Sequence, residues 1–369
     1  MTAVEAGAGG SVAPGFEAVR AAFLQAAGAA PCAFAAVVDG ALVADLWAGA
    51  GWEAATTTVL YSGTKGVAAT ALLTLVERGE LDLDAPVCRL WPEFAASGKS
   101  ALTVTDVLAH AAGLPAVEPP LRREDLGEQA QLAAALAAQA PMLPAGAVAY
   151  HAVTWGWLAA ELVLRATGRT LGAIVRERLA DPLGLELGIG LRPGDPAARS
   201  LLRTRPAAGY RLSAFMADAP DPRLTLVYAN PPLAIDSWCD ADLLAIEAPA
   251  VNGVATARAM ALLYGRIAGG GVLAPETVRR GREVARAGPD ALTGRPLRYG
   301  PTGYELHGTP SELGPAADAF GHTGAGGGSH GAWPALRTGF SFLTADLRSQ
   351  DADRRAASVL AALHAAVRV

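Results

Sequence analysis

Ser62 and Lys65 lie three residues apart in the stretch LYSGTKGVAATALLTLVERGELDLDAPV, residues 60–87. Together they offer a hydroxyl that can attack and an amine that can take its proton. Apolar residues recur at helical spacing from 62 to 79, with Val67, Ala71, Leu72, Leu75 and Val76 on one face and Gly79 as the stop. Ser62 would then occupy the first turn, where a free N–H and the positive end of the helix favour a developing oxyanion. Lys65, one turn on, projects from the same face. The plain alternative is an N-cap serine followed by a surface lysine. Composition weighs against it, because only Lys65 and Lys99 are lysines among 30 basic residues, so arginine serves almost everywhere a mere surface cation is wanted. Arginine cannot be deprotonated in a protein, whereas a buried lysine can lose its proton near neutrality.

A second serine competes. Gly327-Gly328-Ser329-His330-Gly331 fits the GxSxG pattern, and Asp346 and His364 follow it in the Ser, Asp, His order of α/β-hydrolases. Its context is wrong, since such an elbow joins a strand to a helix, whereas Ser329 precedes WPALRTGFSFLTAD, which reads as turn and strand. Metal chemistry is not indicated. The six histidines and three cysteines (Cys32, Cys88, Cys239) show no HExxH or CxxC spacing, and the thiols read as buried and free.

The elements that must carry these residues begin with GFEAVRAAFLQAAG (15–28), which reads as a helix stopped by Gly28. AFAAVVDGALVADLWAG (33–49) reads as two strands joined at Asp39-Gly40. The middle of the chain is helical in pattern, with candidates at 103–114, 124–140, 153–168, 170–184 and 256–271, each closed by Gly, Pro or a polar turn. Strand character returns in RYGPTGYELHG (298–308) and RTGFSFLTAD (337–346), and a helix follows around 350–367. Terminal segments should therefore build one sheet and the helical middle a second lobe. No internal repeat or low-complexity linker divides the chain.

LYSGTKGVAATALLTLVERGELDLDAPV, LTVTDVLAHAAGLPA (102–116), YHAVTWGWLAAEL (150–162) and FGHTGAGGG (320–328) resemble, in order and spacing, the β-lactamase-like serine esterases related to class C β-lactamases and penicillin-binding proteins. The resemblance runs from about residue 30 to 345. It implies an α+β, β-lactamase/transpeptidase-like fold: an antiparallel sheet flanked by terminal helices, plus a mostly helical lobe. The chain 1–369 is then one catalytic domain, with an α/β lobe from 15–60 and 295–369 and a helical lobe from 61–294. The resemblance makes Ser62 the acylated nucleophile, Lys65 its partner, and Tyr150 the base that takes the serine proton and returns it to the leaving group. A tyrosinate is tenable near neutrality only beside cationic groups such as Lys65; read alone, Tyr150 is a packing residue. The third motif, Lys-Thr-Gly in β-lactamases, is His322-Thr323-Gly324 here, a form resembling the esterase branch. Ala325 would supply a second oxyanion N–H beside that of Ser62, with glycines beyond it permitting close approach; read alone, GHTGAGGG is a turn between strands. Where β-lactamases place an asparagine two residues after the tyrosine, this chain has Ala152. With His322 in place of lysine, a clamp for a β-lactam carboxylate is weakened.

These residues point to an acyl-enzyme hydrolase acting on carboxylic esters, or passing the acyl group to an alcohol or amine. A β-lactamase or D-aminopeptidase-type amide hydrolase is the alternative within the family, and a catalytically weak binding protein of the same fold the alternative outside enzymes. The expected partner is a small-molecule acyl substrate, with no cofactor and no metal. Trp238 and Trp333, in loop-like sequence, are the expected pocket aromatics; Trp155 and Trp157 read as core. Net charge −5 and pI near 5.7 give no attraction to nucleic acid or anionic membranes. No apolar run approaches the roughly eighteen residues of a membrane span. The first thirty residues do not read as a signal peptide, so the expected location is the cytoplasm.

Overall fold

Asp39 and Gly40 both adopt positive φ, 49° and 81°, the backbone that a two-residue hairpin turn requires. They join β2 (Cys32–Val38) to β3 (Ala41–Ala48). The computed structural model describes residues 7–144, 146–212, 221–308, 312–349 and 351–368. Among them, β2 and β3 form one antiparallel sheet of nine strands with β1 (Ala8–Val12), β4 (Arg286–Pro289), β5 (Pro296–Tyr299), β6 (Glu305–Leu306), β7 (Phe320–Gly324), β8 (Gly328–Trp333) and β9 (Thr338–Thr344). Their order across the sheet is β1-β3-β2-β9-β8-β7-β6-β5-β4. The sequence pattern announces neither β7 and β8, which fall in and after the stretch read alone as a turn, nor the two outermost strands. β1 (AGGSV) and β4 (RAGP) are short, rich in glycine or proline and not alternating, as edge strands tend to be.

Helices cover both faces, which is why β9 is buried along its whole length and β2 reads as a nearly unbroken apolar run. On one face lie α1 (Glu17–Ala27) and, from the other end of the chain, α5 (Arg355–Val367). Val19, Phe23, Val359 and Leu360 pack there with Phe34, Phe340 and Phe342 of the sheet. Against the opposite face lie α2 (Gly63–Glu77) and α4 (Ala257–Ala268), with α3 (Thr154–Thr167) in the helical body beyond. Contact between α4 and the sheet is close enough to demand glycine: a Cβ on Gly339 would sit 2.0 Å from the Gly265 nitrogen.

The one-faced pattern read in the serine helix understates its burial. Every residue of α2 from Gly63 to Leu75 is buried, because the helix is sandwiched between the sheet and the helical body. The helix read at 103–114 is only Val104–Leu108, since His110 turns the chain with φ 64°. The candidate at 124–140 splits into Arg123–Gly127 and Gln129–Ala138.

Candidate active site

Ser62 is held at the start of α2 by strain and by close packing. Tyr61 before it has φ 49°, an uncommon conformation for a bulky residue, and is held there by a 2.5 Å bond from its hydroxyl to Thr204 Oγ1. Leu60 N donates to Gly253 O (2.8 Å), and Gly253 N donates to Thr64 Oγ1 (2.9 Å), so the turn is pinned on both sides. Three glycines let α2 press onto the sheet and onto α4. A Cβ on Gly324 would lie 2.4 Å from Leu60 O, one on Gly66 2.1 Å from Tyr264 Oη, and one on Gly63 2.5 Å from the His330 ring. The first turn of α2 therefore abuts β7 and β8, and Ser62 faces the end of β7.

Three polar atoms meet there. Tyr150 Oη donates to Ser62 Oγ at 2.8 Å, and Lys65 Nζ stands 3.4 Å from the same oxygen. Lys65 is fully buried and also donates to Ala152 O (2.8 Å) and Ala250 O (3.1 Å). Burial alone, with no carboxylate beside it, holds its pKa well below 10.5. A neutral lysine has two N–H bonds and one lone pair; the two short contacts to carbonyls use the former and leave the latter toward Ser62. Burial also pushes the Tyr150 phenol well above its ordinary value, the bond to Ser62 lowering it less. Burial thus pushes both groups toward their neutral forms, an amine and a phenol, and away from a tyrosinate held by a lysine cation.

Tyr150 is aimed by its surroundings. Its backbone N donates to Asp290 Oδ2 (2.9 Å), while Leu292 N and Thr293 N occupy Oδ1. Its ring lies near His110 and is stacked with Tyr299. His151 is a structural residue, with Nδ1 on Ala149 O and Nε2 accepting from Leu114 N.

His322, Thr323, Gly324 and Ala325 come to this place on and just beyond β7. The N–H groups of Ser62 and Ala325 have no acceptor among the described residues, which leaves two donors for an oxyanion. His322 is buried and neutral, its pKa lowered to about 3 by desolvation first and by Lys65 next; its Nδ1 bonds to Thr323 O at 2.7 Å. A carboxylate that the sequence had not singled out completes this wall. Thr323 N and Oγ1 both donate to Glu305 Oε2, at 3.0 and 2.9 Å.

Around Ser62 lies a cavity of about 340 Å³. Its lining combines apolar or aromatic Tyr61, Val153, Ile235, Trp238 and Val251 with polar Asp290, Arg295, Glu305, Glu312 and Thr323. Trp238 thus lines the pocket, as its loop-like setting suggested. Trp333 does not: it ends β8 fully buried on the far face, its Nε1 donating to Leu313 O and its ring against Phe340 and His364. The alternative triad does not assemble either. Ser329 donates to Glu312 O, Asp346 pairs with Arg348, and His364 rests on Trp333. A hollow of about 520 Å³ beside α1 and the start of α5 is lined by Arg348, Asp353 and Arg355, of which Arg355 is paired with Asp353, and it is not near the serine. Among the described residues no helix is long and apolar enough to cross a membrane, and no cluster of His, Cys, Asp and Glu is arranged to hold a metal ion.

Known proteins share this architecture. The esterase/β-lactamase LipL of Mycobacterium tuberculosis is 37% identical over 348 residues, covering 84% of this chain and 75% of that protein. A penicillin-binding protein homologue from Caulobacter crescentus superposes with TM-score 0.87 at 31% identity, covering 97% of this chain and 99% of that one. A family VIII carboxylesterase gives the same values, and EstA from Arthrobacter nitroguajacolicus gives TM-score 0.88 at 29% identity, with 98% and 99% covered. A model of the Beta-lactamase family matches residues 16–364. With that match across nearly its whole length, the chain belongs to the β-lactamase family.

Proposed function

We propose that the protein is a serine esterase that forms an acyl-enzyme on Ser62. The observation that carries this is the flanking of one buried-helix serine by an amine and a phenol, 3.4 and 2.8 Å from its oxygen, beside two unclaimed N–H groups. In the proposed reaction Ser62 Oγ attacks the ester carbonyl as its proton passes to the Lys65 lone pair, and the oxyanion is received by the N–H groups of Ser62 and Ala325. Tyr150 gives its proton to the departing alkoxide and is re-protonated from Lys65, so the ester C–O bond breaks with no net charge added. Water, deprotonated by the same pair, then cleaves the acyl-serine. The likeness to an esterase/β-lactamase and to carboxylesterase structures supports ester hydrolysis. Against efficient β-lactam cleavage stand Ala152, which offers no side-chain amide partner, and Thr323, whose donors are taken by Glu305.

Transfer of the acyl group to an alcohol or amine is the second reading. The apolar part of the cavity lining supports it, because a shielded acyl-enzyme partitions toward whichever nucleophile enters. A p-nitrophenyl ester series of increasing acyl length, run with and without amine acceptors, measures both pocket size and partition. The primary test is intact mass after treatment with a fluorophosphonate. One adduct is expected on the wild type and none on Ser62→Ala; an equal adduct on both would remove Ser62 from the chemistry.

A further inference from the structure

Glu305 sits in the catalytic cavity in a state that asks for a partner. Its side chain is 27% exposed there, and the rest is enclosed. One oxygen is fixed by the two donors of Thr323; the other, Oε1, has no hydrogen-bond partner among the described residues. The His322 Nδ1 atom, 3.8 Å from Oε2, is committed to Thr323 O and its imidazole is neutral, so it supplies no countercharge. Of the other charged groups lining the cavity, Asp290 accepts from three backbone N–H groups, and Arg295 approaches Glu312 at 3.6 Å. The wall thus presents three carboxylates against one guanidinium.

The side of the substrate that meets this wall follows from the proton path. Tyr150 is the group placed to protonate the departing oxygen, so the alcohol half of an ester lies toward Tyr150. Glu305 is close enough for its charge to bear on both Tyr150 and Tyr299. The acyl half is left to Tyr61, Ile235, Trp238 and Val251. Resting on the esterase reading above, we propose that Glu305 is a specificity-determining residue that selects esters of cationic amino alcohols, its free oxygen receiving the ammonium group, and turns away esters whose alcohol half carries a carboxylate. An ammonium adds countercharge to a desolvated carboxylate for which Arg295, placed beside Glu312, supplies only part. A substrate carboxylate finds the Thr323 donors already occupied and a like charge behind them.

The probes are butyrate esters of choline, of tert-butylethanol as its uncharged isostere, and of β-hydroxypropionate as its carboxylate counterpart. In each, the Ser62 Oγ–acyl bond forms as the ester C–O bond breaks, and the proton leaves with the alcohol. At about pH 8 the wild type should hydrolyse the choline ester with kcat/KM about tenfold or more above the isostere, with the carboxylate ester slowest. Burial first, and then the Glu312 charge, raise the Glu305 carboxyl to about 7, with the two Thr323 hydrogen bonds and then Arg295 opposing. The preference should therefore fall toward unity as pH drops below that value. Protonation of Lys65 affects all three esters alike and cancels in the ratio. Glu305→Gln should lose the preference at every pH, and the ratio within one variant is insensitive to partial unfolding. A wild type that ignores the cation, a ratio flat with pH, or a preference that survives in Glu305→Gln would overturn the proposal while leaving the esterase reading intact. Absence of turnover on all three esters, with no fluorophosphonate adduct, would bring down both.

Discussion

A fully buried amine with no carboxylate beside it is a poor cation, and that is the state in which Lys65 would serve as the proposed base. Its desolvation is a cost carried by the native state, so removing the amine should separate activity from stability. Lys65→Met is expected to lower ester hydrolysis by about a thousandfold while leaving the melting temperature unchanged or higher. The sign with pH is fixed by the direction of the shift. Because the folded pKa is depressed below 10.5, the unfolded chain binds more protons between the two values, and stability rises with pH across that window. Hydrolysis follows the neutral amine and is lost on acidification through the folded value. Thermal melts of wild type and Lys65→Met across alkaline pH should show the slope in the first and its loss in the second. Ser62 and Lys65 were legible as a pair from their types and spacing, whereas Tyr150, a packing residue when read alone, entered only through the family resemblance. Their protonation states were not legible, since burial is decided by what packs around them. Nor was Glu305, which meets Thr323 only through the register of two neighbouring strands.

At the scale of elements, the site depends on how closely α2 lies against the sheet and α4, and the glycines in SGTKG and HTG set those distances. Gly66 is the sharpest case. Its missing Cβ makes room for the Tyr264 hydroxyl, a buried group without a partner among the described residues. Gly66→Ala should cost about 1–3 kcal/mol by overpacking and slow hydrolysis by displacing Ser62 from Tyr150. Tyr264→Phe alone should be neutral or stabilising, and in that background Gly66→Ala should cost much less, because the next contacts lie at 3.3 and 3.4 Å. A double-mutant cycle read by denaturant melts measures the coupling; additive effects would mean the hydroxyl is not the obstacle. The sequence showed the hairpin at Asp39-Gly40, the serine helix and α3 clearly, because turn chemistry and period are local. It lost β1, β4, β7 and β8, whose place in the sheet comes from pairing. It also put Trp333 in the pocket, because loop-like flanks do not reveal which face of a strand a side chain takes.

Across the whole molecule, the C-terminal helix helps hold the wall opposite the serine. Arg355, buried at the start of α5, donates to the carboxylate of Asp353, to Thr344 Oγ1 and to the carbonyls of Gly326 and Asp346. It thereby ties α5 to the loop that carries Ala325. Arg355→Met should destabilise by about 3–5 kcal/mol, since it leaves Asp353 buried and unpaired, and the Ser62 adduct should form more slowly as the loop loosens. Thermal melts and timed labelling check the two effects, and Arg355→Met with Asp353→Asn should regain part of the stability. The same connection orders events during synthesis. Ser62 and Lys65 leave the ribosome early, but their oxyanion wall is made some 260 residues later and is fastened by α5, while the Val19 and Phe23 face of α1 waits for that helix to cover it. A growing chain should therefore carry its nucleophile unarmed, and the proposed ester cleavage is expected only once α5 docks.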